Sequence, residues 1–258
     1  TCVEMIGAIA DRLRFVFPKD YPELDFSKMK IYLLEGSPKT LAAMSEKSSD
    51  NSLAYLNRLG VIVKTGTIVK TYDGNTVTMQ NGETIDSSMV IWAAGIKGNV
   101  PEGIDSSLIV KGNRIKVDRF NKVLGTDNIY AIGDVAFMET DKYAHGHPQV
   151  ASVAISQAKC LANNLNNMKK GVALSEYEYH DKGSMATVGR NLAVVDVPRP
   201  KLHFKGFFAW LIWMGLHLFL LLGVKNRLAV FFNWIYNYIT YDQNLRLIFR
   251  AFRRPKNL

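Results

Sequence analysis

The feature that most constrains this sequence is that its net charge lies at one end. The chain has 258 residues and a formal net charge of +9. The segment 198–258 alone accounts for that charge, with ten Lys and Arg side chains against the single acid Asp242. The same segment is rich in Trp, Tyr, Phe and Leu. Cations beside interfacial aromatic residues are typical of a surface that contacts anionic lipid headgroups. We therefore expect a charge-balanced globular part with a basic, apolar end.

The uncharged run Phe207–Val224 bears on how this end meets a membrane. Its eighteen residues reach only the lower limit of a bilayer span at about 1.5 Å per residue. Three residues in it disfavour a span: Gly215, His217 and Gly223. The last segment has apolar residues on one helical face and arginines elsewhere: Leu245, Ile248, Phe252, and Arg246, Arg250, Arg253, Arg254. This pattern predicts a helix lying in the interface. We expect monotopic binding, with a single transmembrane span as the alternative.

The start of the chain indicates a fragment of a longer protein. Apolar residues recur at helical spacing from the beginning, with no strand before them: Val3, Ile6, Ala10 and Leu13. Cys2 and Cys160 lie far apart and show neither disulfide-framework nor metal-site spacing, so no metal is expected. A reducing compartment fits this use of cysteine best.

The first hundred residues follow the order of an α/β nucleotide-binding half-domain. The pattern predicts a strand over 28–35, a helix over 40–59, and an antiparallel meander over 61–91 with turns at Asp73-Gly74 and Asn81-Gly82. A last strand over 89–92 is predicted to run into Ala93-Ala94-Gly95. This order is typical of a dinucleotide-binding fold whose opening strand is missing.

Two features of this block fit a dinucleotide. Glu35 ends the strand over 28–35, where a carboxylate accepts hydrogen bonds from the ribose hydroxyls of NAD(H) and repels the 2′-phosphate of NADP(H). The small residues 93–95 allow a flat cofactor to approach the backbone. Alternatively, Glu35 is a solvated strand-end acid and residues 93–95 form an ordinary loop.

A second such pattern occurs in the middle of the chain. Residues 128–134 read as an apolar strand ending in Gly133-Asp134, where Gly admits a cofactor and Asp holds a sugar hydroxyl; a turn-forming Gly-Asp is the alternative. Residues 148–158 open a helix whose first turn would direct backbone N–H groups at an electron-rich ligand edge.

Several motifs together resemble one family. They are Thr1-Cys2-Val3-Glu4, Ile91-Trp92-Ala93-Ala94-Gly95, Ala131-Ile132-Gly133-Asp134, Lys182-Gly183-Ser184-Met185-Ala186-Thr187-Val188-Gly189-Arg190-Asn191, Gly206-Phe207-Phe208-Ala209-Trp210 and Thr240-Tyr241-Asp242. Over essentially its whole length the chain resembles the type II NADH dehydrogenases, single-chain flavoproteins that pass electrons from NADH to quinone. The run beginning at Lys182 separates this family from its disulfide-reductase relatives.

The resemblance implies an α/β, Rossmann-like flavoprotein with two dinucleotide-binding domains, truncated at its N-terminus, and a C-terminal helical membrane-docking segment. Residues 1–96 would be most of the NADH domain, 97–197 the returning part of the FAD domain, and 198–258 the membrane anchor. The N-terminal FAD half would be absent. The first glycines of the NADH-binding loop would be absent as well, since no Gly-x-Gly-x-x-Gly motif occurs.

The resemblance also implies roles for individual residues. The catalytic pair would be Glu4, as a proton relay between nicotinamide, flavin and quinone, and Lys182, near the quinone or an anionic flavin. The cofactor-binding residues would be Glu35, Ala94, Gly95, Gly133, Asp134, Ala151 and Ser152. The quinone site would include Gln157 and Met185. From the residues alone, the alternatives are a first-turn helix acid for Glu4 and a core residue for Met185, and Lys182 without the surrounding motif reads as a solvated loop lysine.

Three positions depart from the family pattern. Cys2 stands where the family usually has Gly, which affects the geometry at the pyrophosphate. Ser152 and Ser156 replace longer amides of the pattern Ala-Gln-x-Ala-x-Gln-Gln. Contacts from those amides to flavin or quinone would therefore be shorter, bridged by water or lost, and quinone preference is the property most affected.

The implied function is a respiratory NADH:quinone oxidoreductase that does not pump protons, with FAD as cofactor and NAD as the nucleotide product. Its partners would be NADH, a membrane quinone (menaquinone or ubiquinone) and an anionic membrane surface at the cytoplasmic face, with a homodimer possible in the family and no nucleic acid. The alternatives are a sulfide:quinone oxidoreductase-like reductase, for which the cysteines are poorly placed, and an inactive fragment that binds membranes. A noncatalytic nucleic-acid binder is disfavoured by the long uncharged run.

Overall fold

The structure is a computed structural model that describes residues 2–240. Within these residues the α-helices are α1 (Cys2–Phe15), α2 (Phe17–Asp20), α3 (Glu46–Arg58), α4 (Ala151–Lys170), α5 (Gly206–Leu220) and α6 (Val224–Thr240). The strands are β1 (Ile31–Leu34), β2 (Val61–Lys64), β3 (Val69–Tyr72), β4 (Thr76–Met79), β5 (Thr84–Asp86), β6 (Ile109–Val110), β7 (Arg114–Lys116), β8 (Ala136–Phe137), β9 (Ser184–Gly189), β10 (Leu192–Pro198) and β11 (Lys201–Lys205). Two compact units result. Unit 1 combines the chain up to Ala93 with the chain from Lys182 onward, and unit 2 is Ala94–Asp181.

Unit 1 contains a parallel βαβ unit. β1 and β2 pair in parallel with Ile31 opposite Val61, and α3 connects them. A crossover helix between parallel strands is the building block of a nucleotide-binding sheet. Its core includes apolar side chains from both strands and from α1 and α3: Val3, Ile6, Ala10, Leu33, Leu56 and Val61. The predicted α/β class is confirmed.

Helix α1 lies in unusually close contact with β9. A Cβ atom added to Gly7 would lie 1.6 Å from the carbonyl oxygen of Val188, so only glycine allows this packing. Val188 is fully buried in the same core. The sequence assigned residues 182–197 to a block with 97–181. In the structure they belong to unit 1, because β9 packs on α1 and β10 packs on α5.

Two antiparallel sheets complete unit 1. The meander predicted over 61–91 forms as β3–β4–β5, with Val77 opposite both Tyr72 and Ile85. The turns at Asp73-Gly74 and Asn81-Gly82 fall between these strands, as the sequence predicted. β9, β10 and β11 form the other sheet. Helix α5 covers it through a small core of Ala193, Val195 and Ala209.

Unit 2 is a small sheet covered by one long helix. β7 pairs with β6 antiparallel and with β8 in parallel. Helix α4 contributes Val153 to a core that also includes Ile115, Val117, Val123, Ala131, Ala136, Met138, Tyr177 and Tyr179.

Several predicted elements have different bounds. The helix predicted over 40–59 begins only at Glu46, because Leu41 has a left-handed φ of +50° and the side chain of Ser45 caps the helix by accepting a hydrogen bond from the N–H of Ser48. The strand predicted over 28–35 is shorter, Ile31–Leu34.

Two predicted strands do not form. Residues 89–92 are irregular, and Met89 and Trp92 are 74% and 68% exposed, because no strand among the described residues pairs with this segment. Residues 128–132 form only an isolated antiparallel bridge between Tyr130 and Lys122. The segment opposite them is interrupted next to Lys122, because Asn121 has a left-handed φ of +64°.

The uncharged run at 207–224 is divided between two helices. α5 ends at Leu220 and α6 begins at Val224, after Gly223 with a φ of +82°. No helix among the described residues combines the length and apolar character needed to cross a bilayer. The predicted interfacial helix, with Leu245, Ile248 and Phe252 on its apolar face, lies outside the described residues.

Candidate functional site

The carboxyl end of β1 carries an oriented acid. Glu35 follows the strand directly, and its N–H donates to the carbonyl oxygen of Lys64 at 2.9 Å, which extends the pairing with β2. Its Oε1 accepts a hydrogen bond from the N–H of Ser37 at 2.8 Å. This contact holds one carboxylate oxygen, and Oε2 makes no hydrogen bond to a described residue. The acid therefore has one fixed oxygen and one available oxygen at the end of a parallel strand.

The first turn of α1 contains Cys2 and Glu4 and contacts the segment after the meander. Cys2 donates its S–H to the carbonyl oxygen of Ala93 at 2.9 Å, which ties the first turn of α1 to the segment after the meander. Glu4 lies half-buried in the same first turn. In unit 2, Ala94 and Gly95 are exposed, and Gly95 has a φ of +102° with open space around its α-carbon.

In unit 2, Gly133 and Gln157 are in direct contact. The N–H of Gly133 donates to Oε1 of Gln157 at 2.7 Å, and the Gln157 side chain is fully buried. Gly133 has a φ of +70°, and a Cβ there would lie 3.2 Å from Cβ of Ala154. The carbonyl oxygen of the exposed Asp134 accepts a hydrogen bond from Nε2 of Gln149 at 2.9 Å. The Gly-Asp turn is therefore held by α4 through Gln157 and by the segment before α4 through Gln149.

The N-terminus of α4 is available to a ligand. Helix formation is confirmed, but the helix begins at Ala151 rather than Pro148, and no side chain caps it at Val150. Ala151 and Ser152 are exposed. An uncapped helix N-terminus presents backbone N–H groups and a positive dipole end.

The two serines that depart from the family pattern pair with tyrosines. Oγ of Ser152 lies 3.0 Å from the hydroxyl of Tyr179, and Oγ of Ser156 lies 2.8 Å from the hydroxyl of Tyr177. The shorter side chains therefore join α4 to the segment 177–179. This role of the tyrosines was not predicted from the sequence, although their alternation at 177 and 179 was a signal of one buried face.

The run beginning at Lys182 enters unit 1 at a position where its backbone lies very close to that of β10. Lys182 is exposed, and a Cβ at Gly183 would lie 2.4 Å from the carbonyl oxygen of Asp196. Met185 is half-buried on β9 opposite Val195 and packs against the small core below α5. These contacts explain why glycine follows Lys182. They leave the proposed roles of Lys182 and Met185 as predictions.

Unit 2 also buries a histidine that the sequence analysis missed. His147 is 1% exposed and is surrounded by aromatic rings, with centroid distances of 4.9 Å to Tyr143 and 5.4 Å to Tyr177. Neither ring nitrogen makes a hydrogen bond within the described residues. Burial lowers the pKa of His147. Its carbonyl oxygen accepts from Nη2 of the buried Arg114 at 2.9 Å.

In unit 1, Gly7 and Asp11 were also missed. A glycine inside a helical pattern is a signal of close packing, and Gly7 has that function against Val188. Oδ2 of Asp11 accepts the backbone N–H of Arg190 at 2.6 Å. Burial raises the pKa of Asp11, and the nearby arginines Arg190 and Arg14 oppose that rise.

Comparison with known proteins agrees with this geometry. The family model for pyridine nucleotide-disulphide oxidoreductases matches residues 20–158, and the model for the NDH2 C-terminal domain matches residues 181–240. The type II NADH:quinone oxidoreductase Ndh of Mycobacterium tuberculosis is 31% identical over 255 residues, covering 93% of this chain and 52% of the relative. A type II NADH:quinone oxidoreductase of Staphylococcus saprophyticus is 31% identical over 194 residues, covering 73% and 47%.

Solved structures give the same fold. The structure of NDH2 from Plasmodium falciparum in complex with NADH superposes with a TM-score of 0.78 at 20% identity, covering 92% of this chain and 63% of that one. The same protein in complex with RYL-552 gives a TM-score of 0.76 at 19% identity, covering 90% and 62%. The chain spans about half the length of the curated relatives it matches.

A parallel βαβ unit with an acid at a strand end, and a Gly-Asp turn packed on a helix N-terminus, are typical of α/β folds of the dinucleotide-binding class. The family match over more than half of the chain makes the class specific. The chain belongs to the pyridine nucleotide-disulphide oxidoreductase family, as a partial chain of its type II NADH dehydrogenase branch.

Proposed function

We propose that the protein containing this chain is an FAD-dependent NADH:quinone oxidoreductase that moves electrons without pumping protons. The observation that carries this proposal is the NDH2 C-terminal domain over residues 181–240. Other pyridine nucleotide reductases share a dinucleotide-binding fold, whereas this domain separates the type II NADH dehydrogenases from them. The curated relatives named type II NADH:quinone oxidoreductase support the same activity.

Unit 1 fits the NADH substrate. The available Oε2 of Glu35 at the end of β1 suits a ribose hydroxyl, and the negative charge disfavours a 2′-phosphate. Ser37 fixes the carboxylate before the ligand arrives, which lowers the entropic cost of binding. These residues hold and select the nucleotide.

Unit 2 fits the FAD cofactor. Gly133 leaves space that a side chain would fill, and the uncapped N-terminus of α4 offers N–H groups and a positive dipole end to an electron-rich ring edge. Asp134 would hold a sugar hydroxyl, and Ala151 and Ser152 would line the helix start. When bound, FAD supplies the hydride-accepting and electron-donating chemistry that no side chain here provides.

The proton and quinone roles are assigned to polar and flexible side chains. Glu4, half-buried at the start of α1, would relay a proton, and Lys182 would donate to a quinone oxygen. Met185 would contact the quinone. Gln157 acts first as a positioning residue, because its buried amide holds the Gly133 N–H.

Membrane docking would involve α5 and α6. The exposed apolar side chains here include Phe208 and Phe219 on α5 and Leu222 between the two helices, which are 72%, 69% and 86% exposed. Exposed aromatic and aliphatic patches of this kind indicate an interaction surface. We place the protein on the cytoplasmic face of the cell membrane as a monotopic protein, with a homodimer as a further possibility to test by sedimentation.

The activity is tested with the protein that contains this chain, reconstituted with FAD. We expect NADH oxidation that depends on a short-chain quinone, and little oxidation of NADPH. Flavin reduction by NADH without quinone turnover would contradict the proposal and assign the protein to another group of flavin reductases.

Nucleotide selection is tested by Glu35→Gln. Removing the charge should raise the ratio of kcat/KM for NADPH over NADH by about tenfold, because the repulsion of a 2′-phosphate is lost. The exposed acid Asp50 on α3 offers a matched control, Asp50→Asn. An unchanged ratio for Glu35→Gln would remove Glu35 from the nucleotide site.

The sulfide:quinone oxidoreductase alternative has no support from the cysteines. Cys2 donates its S–H to Ala93, and burial raises the pKa of Cys160, which disfavours a reactive thiolate.

A further inference from the structure

Unit 1 contains a basic cavity that the proposed reaction does not use. Its volume is about 460 Å³, and its lining includes three arginines from separate parts of the chain: Arg14 on α1, Arg58 at the end of α3, and Arg190 after β9. One acid, Asp11, also lines it. The three guanidinium groups exceed the single carboxylate, so the cavity is electropositive.

Three contacts organise this cavity. Nη1 of Arg14 donates to the carbonyl oxygen of Arg58 at 3.4 Å, which joins the ends of α1 and α3. The backbone N–H of Arg190 donates to Asp11 at 2.6 Å, and the Arg190 guanidinium lies 4.1 Å from the ring centroid of Tyr238 on α6. Arg14 and Arg190 are thus held by contacts with α3 and α6, whereas Arg58 contributes its backbone carbonyl oxygen to these contacts and keeps an exposed side chain at the cavity.

The cavity also receives the N-terminus of α5. Gly206, the first residue of α5, lines the cavity, where its N–H is directed at the hydroxyl of Tyr55, and the side chain of Lys205 does not cap the helix. The positive end of a helix dipole adds to the three arginines. Two independent sources of positive potential therefore meet in one concave site, which favours an anion.

The apolar surface beside the cavity indicates where that anion comes from. Phe207 and Phe208 follow Gly206 directly on α5 and are 44% and 72% exposed. Phe15, which also lines the cavity, is 38% exposed. A ligand with a phosphate in the cavity and an acyl chain along α5 would satisfy both surfaces. Guanidinium groups match phosphate oxygens through paired N–H donors.

We propose that this cavity binds the phosphate headgroup of an anionic glycerophospholipid in the membrane. The inference rests on the proposed membrane docking and deepens it. General attraction by the basic residues of segment 198–258 brings the protein to the membrane surface, and the cavity fixes its orientation there. Binding of the phosphate in the cavity requires the planar guanidinium group of Arg58, whose N–H donors pair with phosphate oxygens. Diffuse attraction requires only its charge.

The test is sedimentation of the full chain with vesicles of neutral phosphatidylcholine, alone or mixed with phosphatidylglycerol. Four variants are compared: Arg58→Lys, Arg58→Gln, Lys225→Arg and Lys225→Gln. Arg58 and Lys225 are both exposed residues on helices of unit 1, so these substitutions leave the cores intact, and thermal unfolding checks this. Lys225 lies on α6 outside the cavity lining.

We expect Arg58→Lys and Arg58→Gln both to weaken binding to anionic vesicles by about tenfold. Each position near an anionic surface contributes about fivefold through charge alone, so Lys225→Gln should lose about that much and Lys225→Arg nothing. Adding soluble glycerol 3-phosphate should reduce binding of the wild type more than binding of Arg58→Lys. Inorganic phosphate as a second competitor separates headgroup recognition from general anion binding.

Two results would overturn the proposal in different ways. Wild-type affinity in Arg58→Lys would reduce the cavity to a source of charge and leave membrane docking intact. A wild-type chain that binds neither vesicle would reject membrane docking and the cavity together, while the NADH oxidation assay still decides the catalytic proposal.

Discussion

At the scale of single residues, the packing of unit 1 depends on a glycine that lies in direct contact with another backbone segment. Gly7 is required because the carbonyl oxygen of Val188 occupies the position of a side chain. In unit 2, a Cβ at Gly133 would meet Ala154, with Cβ at 3.2 Å and Cα at 3.9 Å, and the left-handed φ of Gly133 is the stronger constraint. Two glycines of this chain are thus needed for different physical reasons.

Gly7→Ala should lower the free energy of unfolding by about 3 kcal/mol or more, because a backbone clash cannot be relieved by a rotamer change. Chemical denaturation of the full chain measures this. The control is Gly215→Ala on α5, where a Cβ meets nothing within 4 Å and helix propensity predicts a gain of about 0.5–1 kcal/mol. Equal effects of the two substitutions would show that Gly7 is not closely packed.

Gln157→Leu should destabilise unit 2 and reduce FAD retention. The N–H of Gly133 would lose its acceptor, at a cost of about 1–3 kcal/mol. Denaturation and the flavin content of the containing protein are the measurements. Asn163→Leu, an exposed position on the same helix, is the control. Full stability and flavin content in Gln157→Leu would contradict the positioning role.

His147 makes stability depend on pH. Its pKa is lowered in the folded state, first by burial and then by arginines, while one carboxylate opposes this. The groups that face it are Tyr143, Tyr177, Tyr179, Glu178, Arg119 and Arg114. Below about pH 6.5 the unfolded chain binds a proton that the folded chain resists, so stability falls with pH by up to about 1.4 kcal/mol per unit.

The measurement is the free energy of unfolding between pH 7.5 and pH 5 for the wild type and for His147→Phe, which keeps an aromatic ring among the tyrosines. The variant should lose part of the slope below about pH 6.5. An identical slope would assign the pH dependence to other groups.

At the scale of elements, the start of helix α3 is held by an acidic side chain on a β-strand, Asp196 on β10. Both carboxylate oxygens of Asp196 on β10 accept hydrogen bonds at the start of α3: from the N–H and Oγ of Ser45 at 2.8 and 2.9 Å, and from Oγ of Ser48 at 3.0 Å. His203 on β11 adds a fourth contact at 2.9 Å. Although burial opposes it, these hydrogen bonds lower the pKa of Asp196.

Asp196→Asn should destabilise unit 1 by about 1–3 kcal/mol, because the amide cannot accept all four hydrogen bonds. The stabilisation by the wild-type carboxylate is present above its unfolded pKa and is lost as pH falls through the lower folded pKa. Asp50→Asn on the exposed face of α3 is the control in the same denaturation experiment. Equal stability of Asp196→Asn and wild type at pH 7 would remove the anchor.

The sequence predicted elements best where local signals act alone. The meander turns and α4 formed because Asp-Gly, Asn-Gly and an apolar periodicity are local. The strand expected at 89–92 failed because a strand needs a partner, which no local pattern provides. The contacts of Ser152 and Ser156 with Tyr179 and Tyr177 join residues more than twenty positions apart, so spacing could not reveal them.

At the scale of the whole molecule, charge and apolar surface are combined in one segment. The residues from Pro198 onward carry the net charge of the chain, and α5 and α6 expose aromatic side chains. Long-range attraction and short-range apolar burial are therefore available in the same part of the sequence.

Binding to anionic vesicles should weaken with salt but not vanish. The screening length falls from about 10 Å at 0.1 M to about 3 Å at 1 M, which removes attraction by the basic residues. Burial of aromatic side chains should remain. Sedimentation with vesicles across this salt range measures both components, with Phe208→Ser as the variant that lowers the salt-resistant part. Complete release at high salt would reject apolar insertion.

Unit 1 consists of two segments of the chain separated by unit 2, so its parts are synthesised at different times. Unit 2 is one continuous segment and can complete its core as soon as Asp181 has left the ribosome. In unit 1, by contrast, Gly7 on α1 can reach its neighbour Val188 only after β9, much further along the chain, has been translated. Unit 2 can therefore complete its core before unit 1 has its full set of neighbours.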